Sequence, residues 1–192
     1  MVDKGDRRVY EKTILDSFVE DFVNVLDKYC KYIIVSGFVA IAHGRSRGTE
    51  DVDMIIEKFD FEKFKKLHEE LEKNNFECIQ SPRAEVVYEY LIKKDSVRYI
   101  RKGTFVPEME VKFSKDELDE MQLATRKKLE FTGMDVFFSS VEMNIAFKEE
   151  LLKSDKDMED AKHLRIIYKD KIDENLINDI KRMIRKLRLN ER

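Results

Sequence analysis

Between Tyr32 and Glu57 the sequence reads YIIVSGFVAIAHGRSRGTEDVDMIIE, and this segment constrains the fold more than any other. A β-branched run from Lys31 to Ser36 ends at Gly37, and an apolar, alanine-bearing stretch runs from Phe38 to His43. A polar loop from Gly44 to Glu50 leads into a second apolar run, Asp51 to Glu57. The periods read as strand, glycine turn, short helix, loop and strand. Side chains alternate along a strand, so Asp51 and Asp53 point to one face and Val52 to the other. Two close carboxylates repel unless positive charge lies between them. A divalent cation supplies that charge, and oxygen donors suit Mg²⁺. Carboxylates that fix such ions are what two-metal phosphoryl transfer requires. Gly37 lets backbone approach a ligand closely, the helix N-terminus after it suits phosphate, and Arg45 and Arg47 add positive charge in the loop.

The rest of the chain reads as further helices and strands. Apolar residues from Ile14 to Leu26 recur at helical spacing, which predicts an amphipathic helix from about Tyr10 to Lys28. Asp60 is placed to cap a helix over Phe61 to Lys73. Phe76 to Ile79 is a short strand, and Ser81-Pro82 opens a helix to about Ile92 with Val86, Val87, Tyr90 and Leu91 inward. Val97 to Arg101 and Met109 to Phe113 alternate like strands. Ser114 is placed to cap a helix from Lys115 to about Thr125. Leu129 to Phe131 and Asp135 to Phe138 flank Thr132-Gly133 as a hairpin. Three helices follow: one opened by Ser140, one by Asp155 or Asp157 through about Tyr168, and one from Asp173 to about Leu189. The expected fold is α/β (α+β), a mixed twisted sheet flanked by helices with a helical C-terminal region. The division falls into a core over 1–138 and a helical region over 139–192 packed on it.

Composition narrows the function classes. Lys+Arg 37 against Asp+Glu 40 gives a formal net charge of -3, so a generally basic nucleic-acid binder is excluded and any phosphate contact is local. Two basic stretches are candidates for RNA phosphate: Lys181 to Arg192, with six basic residues, and Arg126 to Lys128. Each has a plainer reading, since cations also suit helix C-termini. Cys30 and Cys78 lack metal-ligand spacing and read as buried thiols. Met1 to Arg8 is charged and no long apolar run follows, so the expected location is cytoplasmic, without membrane contact.

The segment from Gly37 to Asp53 resembles the signature of the DNA polymerase β-like nucleotidyltransferase superfamily. In that signature a strand ends in glycine followed by glycine or serine, and a helix and loop lead to Asp-x-Asp or Asp-x-Glu on the next strand. Phe38 stands where the signature has a small residue, and its bulk bears on triphosphate binding by the turn. The resemblance implies a nucleotidyltransferase fold with two Mg²⁺ ions held by Asp51 and Asp53. An NTP is the implied substrate, held at Gly37, Phe38, Arg45 and Arg47. It also implies a third carboxylate on a later strand. Glu110 is the first candidate as metal ligand and catalytic group, and Glu108 shares its parity; Lys112 faces the same way as Glu110.

Further on, SSVEMNIAFKEELLKSDKDMEDAKHL (139–164) resembles the C-terminal region of AbiEii-type toxin nucleotidyltransferases. There a helix bearing a lysine precedes an Asp-x-x-Asp segment that opens the next helix. Lys148 matches the lysine, and Asp157 and Asp160 match the acidic pair. The implied roles are phosphate contact for Lys148 and a catalytic or supporting role for Asp157. Asp157 and Asp160 share a helix face, and ordinary helix capping by Asp157 is the plainer alternative. The implied reaction moves an NMP from an NTP to a hydroxyl of RNA or protein. Toxin–antitoxin relatives imply a tRNA or protein acceptor and an antitoxin partner. The alternative is a nucleotide- or RNA-binding module of the same fold without chemistry.

Overall fold

The structure is a computed structural model that describes residues 13–189. The first residues of the helix expected from Tyr10, the charged opening Met1 to Arg8 and the terminal Arg192 lie outside the described residues. In chain order the helices are α1 (Ile14–Leu26), α2 (Gly37–Ala42), α3 (Phe61–Lys73), α4 (Ala84–Ile92), α5 (Glu117–Ala124), α6 (Val141–Phe147), α7 (Asp155–Ile167) and α8 (Glu174–Ile184). The strands are β1 (Tyr32–Val35), β2 (Asp51–Ile56), β3 (Phe76–Cys78), β4 (Val97–Arg101), β5 (Glu108–Phe113), β6 (Lys127–Lys128) and β7 (Phe137–Phe138). They form one mixed sheet in the order β3-β4-β5-β2-β1-β7-β6. β2 runs parallel to β5 and β1 to β7, and the other neighbours are antiparallel.

Alternation along the central strands divides the apolar residues between two layers. Tyr32, Ile34, Val52, Met54, Ile56, Met109, Val111 and Phe113 turn to one face, where α1, α3 and α4 cover them. Phe22 sits there edge-on to Phe76, with ring centroids 5.1 Å apart, a favoured aromatic geometry. On the other face Ile33 and Ile55 meet Leu123 of α5. A separate apolar cluster joins α5, α6, α7 and α8 through Leu118, Met143, Ile145, Leu164, Ile177 and Ile180. Leu118 belongs to that cluster although it precedes residue 139. The second face is therefore covered only in part, and its polar strand positions remain open. Among the described residues no helix is long and apolar enough to cross a membrane.

Local chemistry explains where the elements begin, and where sequence expectation and structure part. Thr13 and Asp16 form a reciprocal capping box on α1, and Asp60 caps α3 by accepting from the Lys63 N–H at 2.9 Å. Ser114 does not cap α5. Asp116 does, accepting from the N–H groups of Leu118 and Asp119, while the Ser114 hydroxyl is buried without a partner. Tyr90 is 41% exposed, because Tyr88 is the aromatic residue of α4 that packs against the core. The hairpin is shorter than expected: Lys127 and Lys128 pair with Phe138 and Phe137. Glu130–Thr132 is instead a 3₁₀ turn, closed by the Thr132 hydroxyl donating to the Leu129 carbonyl and by left-handed Gly133. Ser154, rather than Asp155 or Asp157, caps α7. α6 and α8 each continue into a π-helical turn, Lys148–Leu152 and Arg185–Leu189. Cys30 and Cys78 are free and buried.

The two cap positions make a paired test. Asp60→Ala is expected to lower unfolding free energy by about 1 kcal/mol. Ser114→Ala removes a hydroxyl that is buried without a hydrogen bond, so its stability should equal or exceed wild type in urea denaturation.

Candidate active site on the open face of the sheet

Parallel pairing of β2 with β5 sets Asp51 beside Glu108 and Asp53 beside Glu110. Residues in register on parallel strands share a face, so these four carboxylates and Lys112 line the part of the second face that α5 leaves open. Asp51 is exposed at the strand start, and the Thr49 hydroxyl donates to its carboxylate at 2.8 Å. Asp53 lies deeper. Burial pushes its carboxyl above the ordinary range, and Glu110 and Asp51 add to the rise. Lys112 and a hydrogen bond from the Ser36 hydroxyl oppose it. Glu108 and Glu110 are both tied to Arg98 of β4, at 3.2 and 2.8 Å.

The glycine turn is built around Ser36 and Arg47. Ser36 has φ 64°, a left-handed conformation that costs a non-glycine residue about 1 kcal/mol or more. It immediately precedes α2 and donates its hydroxyl to Asp53. At Gly37 a Cβ would lie 3.1 Å from the Arg47 guanidinium. The missing side chain thus makes room for Arg47. Phe38 turns away from the open face and is 1% exposed, stacked on Phe138 at a centroid distance of 6.1 Å. Its bulk does not crowd the turn, and only its backbone is available there.

Arg45, Arg47 and Lys148 converge on one carboxylate. Asp160 is fully buried. It accepts from Lys148 at 2.8 Å and Arg47 at 2.6 Å, and it pairs closely with Arg45. Lys148, 1% exposed, also reaches Asp157 at 3.2 Å. Burial alone would raise the Asp157 carboxyl, but the Ser154 hydrogen bond and the Lys148 charge outweigh it and hold it low. The structure therefore brings Arg45, Arg47, Lys148 and Asp157 together through Asp160. That junction joins the loop before Asp51 to α7 and the π turn. A cavity of about 200 Å³ runs beside it, lined by Ser36, Asp53, Lys112, Lys115, Lys148 and Arg188 among others.

His43 ends α2 away from this face. Its Nδ1 lies 2.7 Å from the Tyr168 hydroxyl, and its carbonyl accepts from His163. It covers a helix end and ties α2 to α7. The basic stretches are largely committed internally. Lys181 pairs with Glu149, Arg185 with Glu150 and Arg188 with Asp116. The Arg126 guanidinium lies 3.9 Å from the centroid of the Phe137 ring.

The donor set fits a magnesium ion in part. Asp51, Asp53 and Glu110 offer hard oxygens, and the Asp53 carboxyl, raised by burial first and by Glu110 and Asp51 after it, would be lowered by a cation beside it. Mg²⁺ commonly takes one or two carboxylates together with water and substrate phosphate. Among the described residues, however, no group of three or more His, Cys, Asp or Glu is already placed to hold a metal. Sequence reasoning missed Ser36 and Arg98. Ser36 is signalled only by its place between a strand end and Gly37. Arg98 depends on the register of β4 against β5.

This arrangement of sheet, turn and paired acids is a nucleotidyltransferase fold. It is similar to an antigenic nucleotidyltransferase-like protein from Paracoccidioides brasiliensis, with TM-score 0.54 and 19% identity over 92% of this chain and 89% of that one. It is also similar to the antibiotic-resistance factor ANT(2'')-Ia in solution, with TM-score 0.58 and 10% identity over 94% and 96% of the two chains. The crystal structure of ANT(2'')-Ia in complex with adenylyl-2''-tobramycin gives TM-score 0.56 and 13% identity over 91% and 98%. At these identities the likeness is one of fold. No protein-family model and no curated protein matches the chain.

Two predictions follow from the buried groups. Asp160→Ala leaves Lys148 buried with fewer partners and should cost about 3–5 kcal/mol in chemical denaturation. His43 is buried, and its imidazole is pushed down to about 4 from an ordinary 6.5, by burial first and His163 second. A folded value below the unfolded one means that stability is full above pH 6.5 and falls as pH drops towards 4. The loss approaches about 3 kcal/mol, and His43→Gln should flatten that limb of a Tm–pH profile.

Proposed function

We propose that this protein is a metal-dependent nucleotidyltransferase that moves an NMP from an NTP to an acceptor hydroxyl. The observation that carries the reading is the placement of Asp51 and Asp53 against Glu108 and Glu110 on parallel strands, at the open face beside the Ser36–Gly37 turn. Asp51 and Asp53 would hold Mg²⁺, with Glu110 completing the set on release from Arg98. When bound, the metal would neutralise phosphate charge as the transfer proceeds. Ser36 holds the Asp53 carboxylate in position through its hydroxyl. The backbone at Gly37 and Phe38 would meet the nucleotide, and Arg45, Arg47 and Lys148 would supply positive charge from the Asp160 junction. Asp157 supports Lys148. In the transfer the acceptor oxygen bonds to the α-phosphorus and its proton passes to Glu110. The bond from that phosphorus to the bridging oxygen breaks, and the electron pair leaves with pyrophosphate.

The acceptor hydroxyl belongs to RNA, such as tRNA, or to protein. A toxin–antitoxin setting, with an antitoxin partner, is the form of this reading that the AbiEii-type resemblance supports. ANT(2'')-Ia was solved with adenylyl-2''-tobramycin, which adds a small-molecule hydroxyl as a third acceptor class to assay. The second reading is a nucleotide- or RNA-binding module of the same fold. The Arg98 contacts of Glu108 and Glu110, together with the absence of a preformed three-carboxylate group among the described residues, favour it.

Incubation with each α-³²P-labelled NTP, Mg²⁺ and separate tRNA, protein and small-molecule acceptors decides between them. Wild type should transfer label, and Asp51→Asn with Asp53→Asn should lower transfer by at least about a thousandfold, a loss of about 4 kcal/mol in barrier stabilisation. Mg²⁺-dependent nucleotide binding without transfer to any acceptor would establish the binding module instead.

A further inference from the structure

The cations around the cleft beside Asp53 fall into two groups. Lys148 is held by Asp157 and Asp160, and Arg188 by Asp116 and Asp119. Their charges are answered inside the protein. Lys112 and Lys115 differ: both line the cleft, and among the described residues neither has an ion-pair partner in contact. Lys112 stands on the same face of β5 as Glu110 and acts on Asp53 as a nearby positive charge. Lys115 follows the end of β5, at the more exposed rim.

The setting is unfavourable to the Lys115 ammonium as it stands. Burial first, then Arg188 and to a lesser degree Lys112, lower the Lys115 ammonium below the ordinary range, with Asp119 and Asp116 opposing. Here apolar Phe147, Leu151 and Leu152 wall the other side of the cavity. Like charges gathered in a walled cleft focus their field on whatever enters it. The ligand suited to that field is a compact polyanion with several acceptor oxygens, which is to say polyphosphate.

We propose that Lys112 and Lys115 seat the β- and γ-phosphates of the NTP, the part that departs as pyrophosphate. This rests on the nucleotidyl-transfer reading of the same site. It assigns the leaving group to side chains of β5 and the turn after it. Arg45 and Arg47 then serve the Asp160 junction. Asp53 lies in the same cavity as the two lysines, so the α-phosphorus would lie between the lysines and the carboxylates. Charge that gathers on the departing oxygens would meet two ammonium groups that no contact ion pair occupies among the described residues.

The test is calorimetric binding of inorganic tripolyphosphate, NTP and a short RNA to wild type, Lys112→Ala, Lys115→Ala, the double variant and Lys112→Arg. Melting curves confirm that each variant is folded. Tripolyphosphate and NTP binding should weaken by about tenfold per lysine removed, and Lys112→Arg should restore most of the loss. RNA affinity should move far less. A double variant that binds tripolyphosphate as wild type does overturns the proposal, as does a wild type that binds neither tripolyphosphate nor NTP. Loss confined to RNA also overturns it and gives the lysines to an acceptor backbone. Tripolyphosphate binding that depends on both lysines, in a protein that transfers no label, keeps the phosphate seat and overturns the transfer reading alone.

Discussion

The ion junction at Asp160 is the contact on which the geometry of the open face depends. A fully buried carboxylate is tolerated only when its charge is met and its lone pairs are filled. Asp160 meets both conditions by drawing in Lys148 from the π turn and Arg45 and Arg47 from the loop before β2. Those partners come from parts of the chain far apart in sequence. Apolar packing alone would leave the helical C-terminal region free to slide over the sheet, because hydrophobic contact is not directional. Directed charge pairs fix it. The same contacts anchor the loop that delivers Asp51, so the start of β2 is placed by a side chain of α7.

The sheet was legible in the sequence where a single period governs a segment. Asp60 and Asn74 bound α3 at its two ends, and the alternation of β2 and β5 puts Asp51, Asp53, Glu108 and Glu110 on polar positions. What the sequence does not carry is register. Only the pairing of β2 with β5 shows that Asp53 stands beside Glu110, and only the pairing of β4 with β5 delivers Arg98 to both glutamates. Local competition misleads in a different way. Ser114 and Asp116 are both good caps by type, and Asp116 holds the place because it also accepts from Arg188, a tertiary contact invisible in the local sequence. Gly37 is a further case. It signals close approach correctly, while the group that approaches is Arg47, from the following loop.

Parallel pairing of two acid-bearing strands concentrates negative charge, and the residues around it show how the fold answers that. Ser36 accepts an unfavourable φ and donates to Asp53. Arg98 draws Glu108 and Glu110 towards β4, and Lys112 lends its charge from the same face. Each contact reduces repulsion among the carboxylates, yet burial first, with Glu110 and Asp51 adding, still keeps the Asp53 carboxyl raised. The compensation is thus incomplete at the residue nearest the cavity. Residual strain of this kind concentrates where a ligand completes the charge balance. Lys112 and Lys115 line the same cavity, and among the described residues neither has an ion-pair partner in contact. A magnesium-bearing polyphosphate offers both signs at once. The raised Asp53 carboxyl and the two lysines face one cavity, a placement that the proposed magnesium-bearing polyphosphate would match.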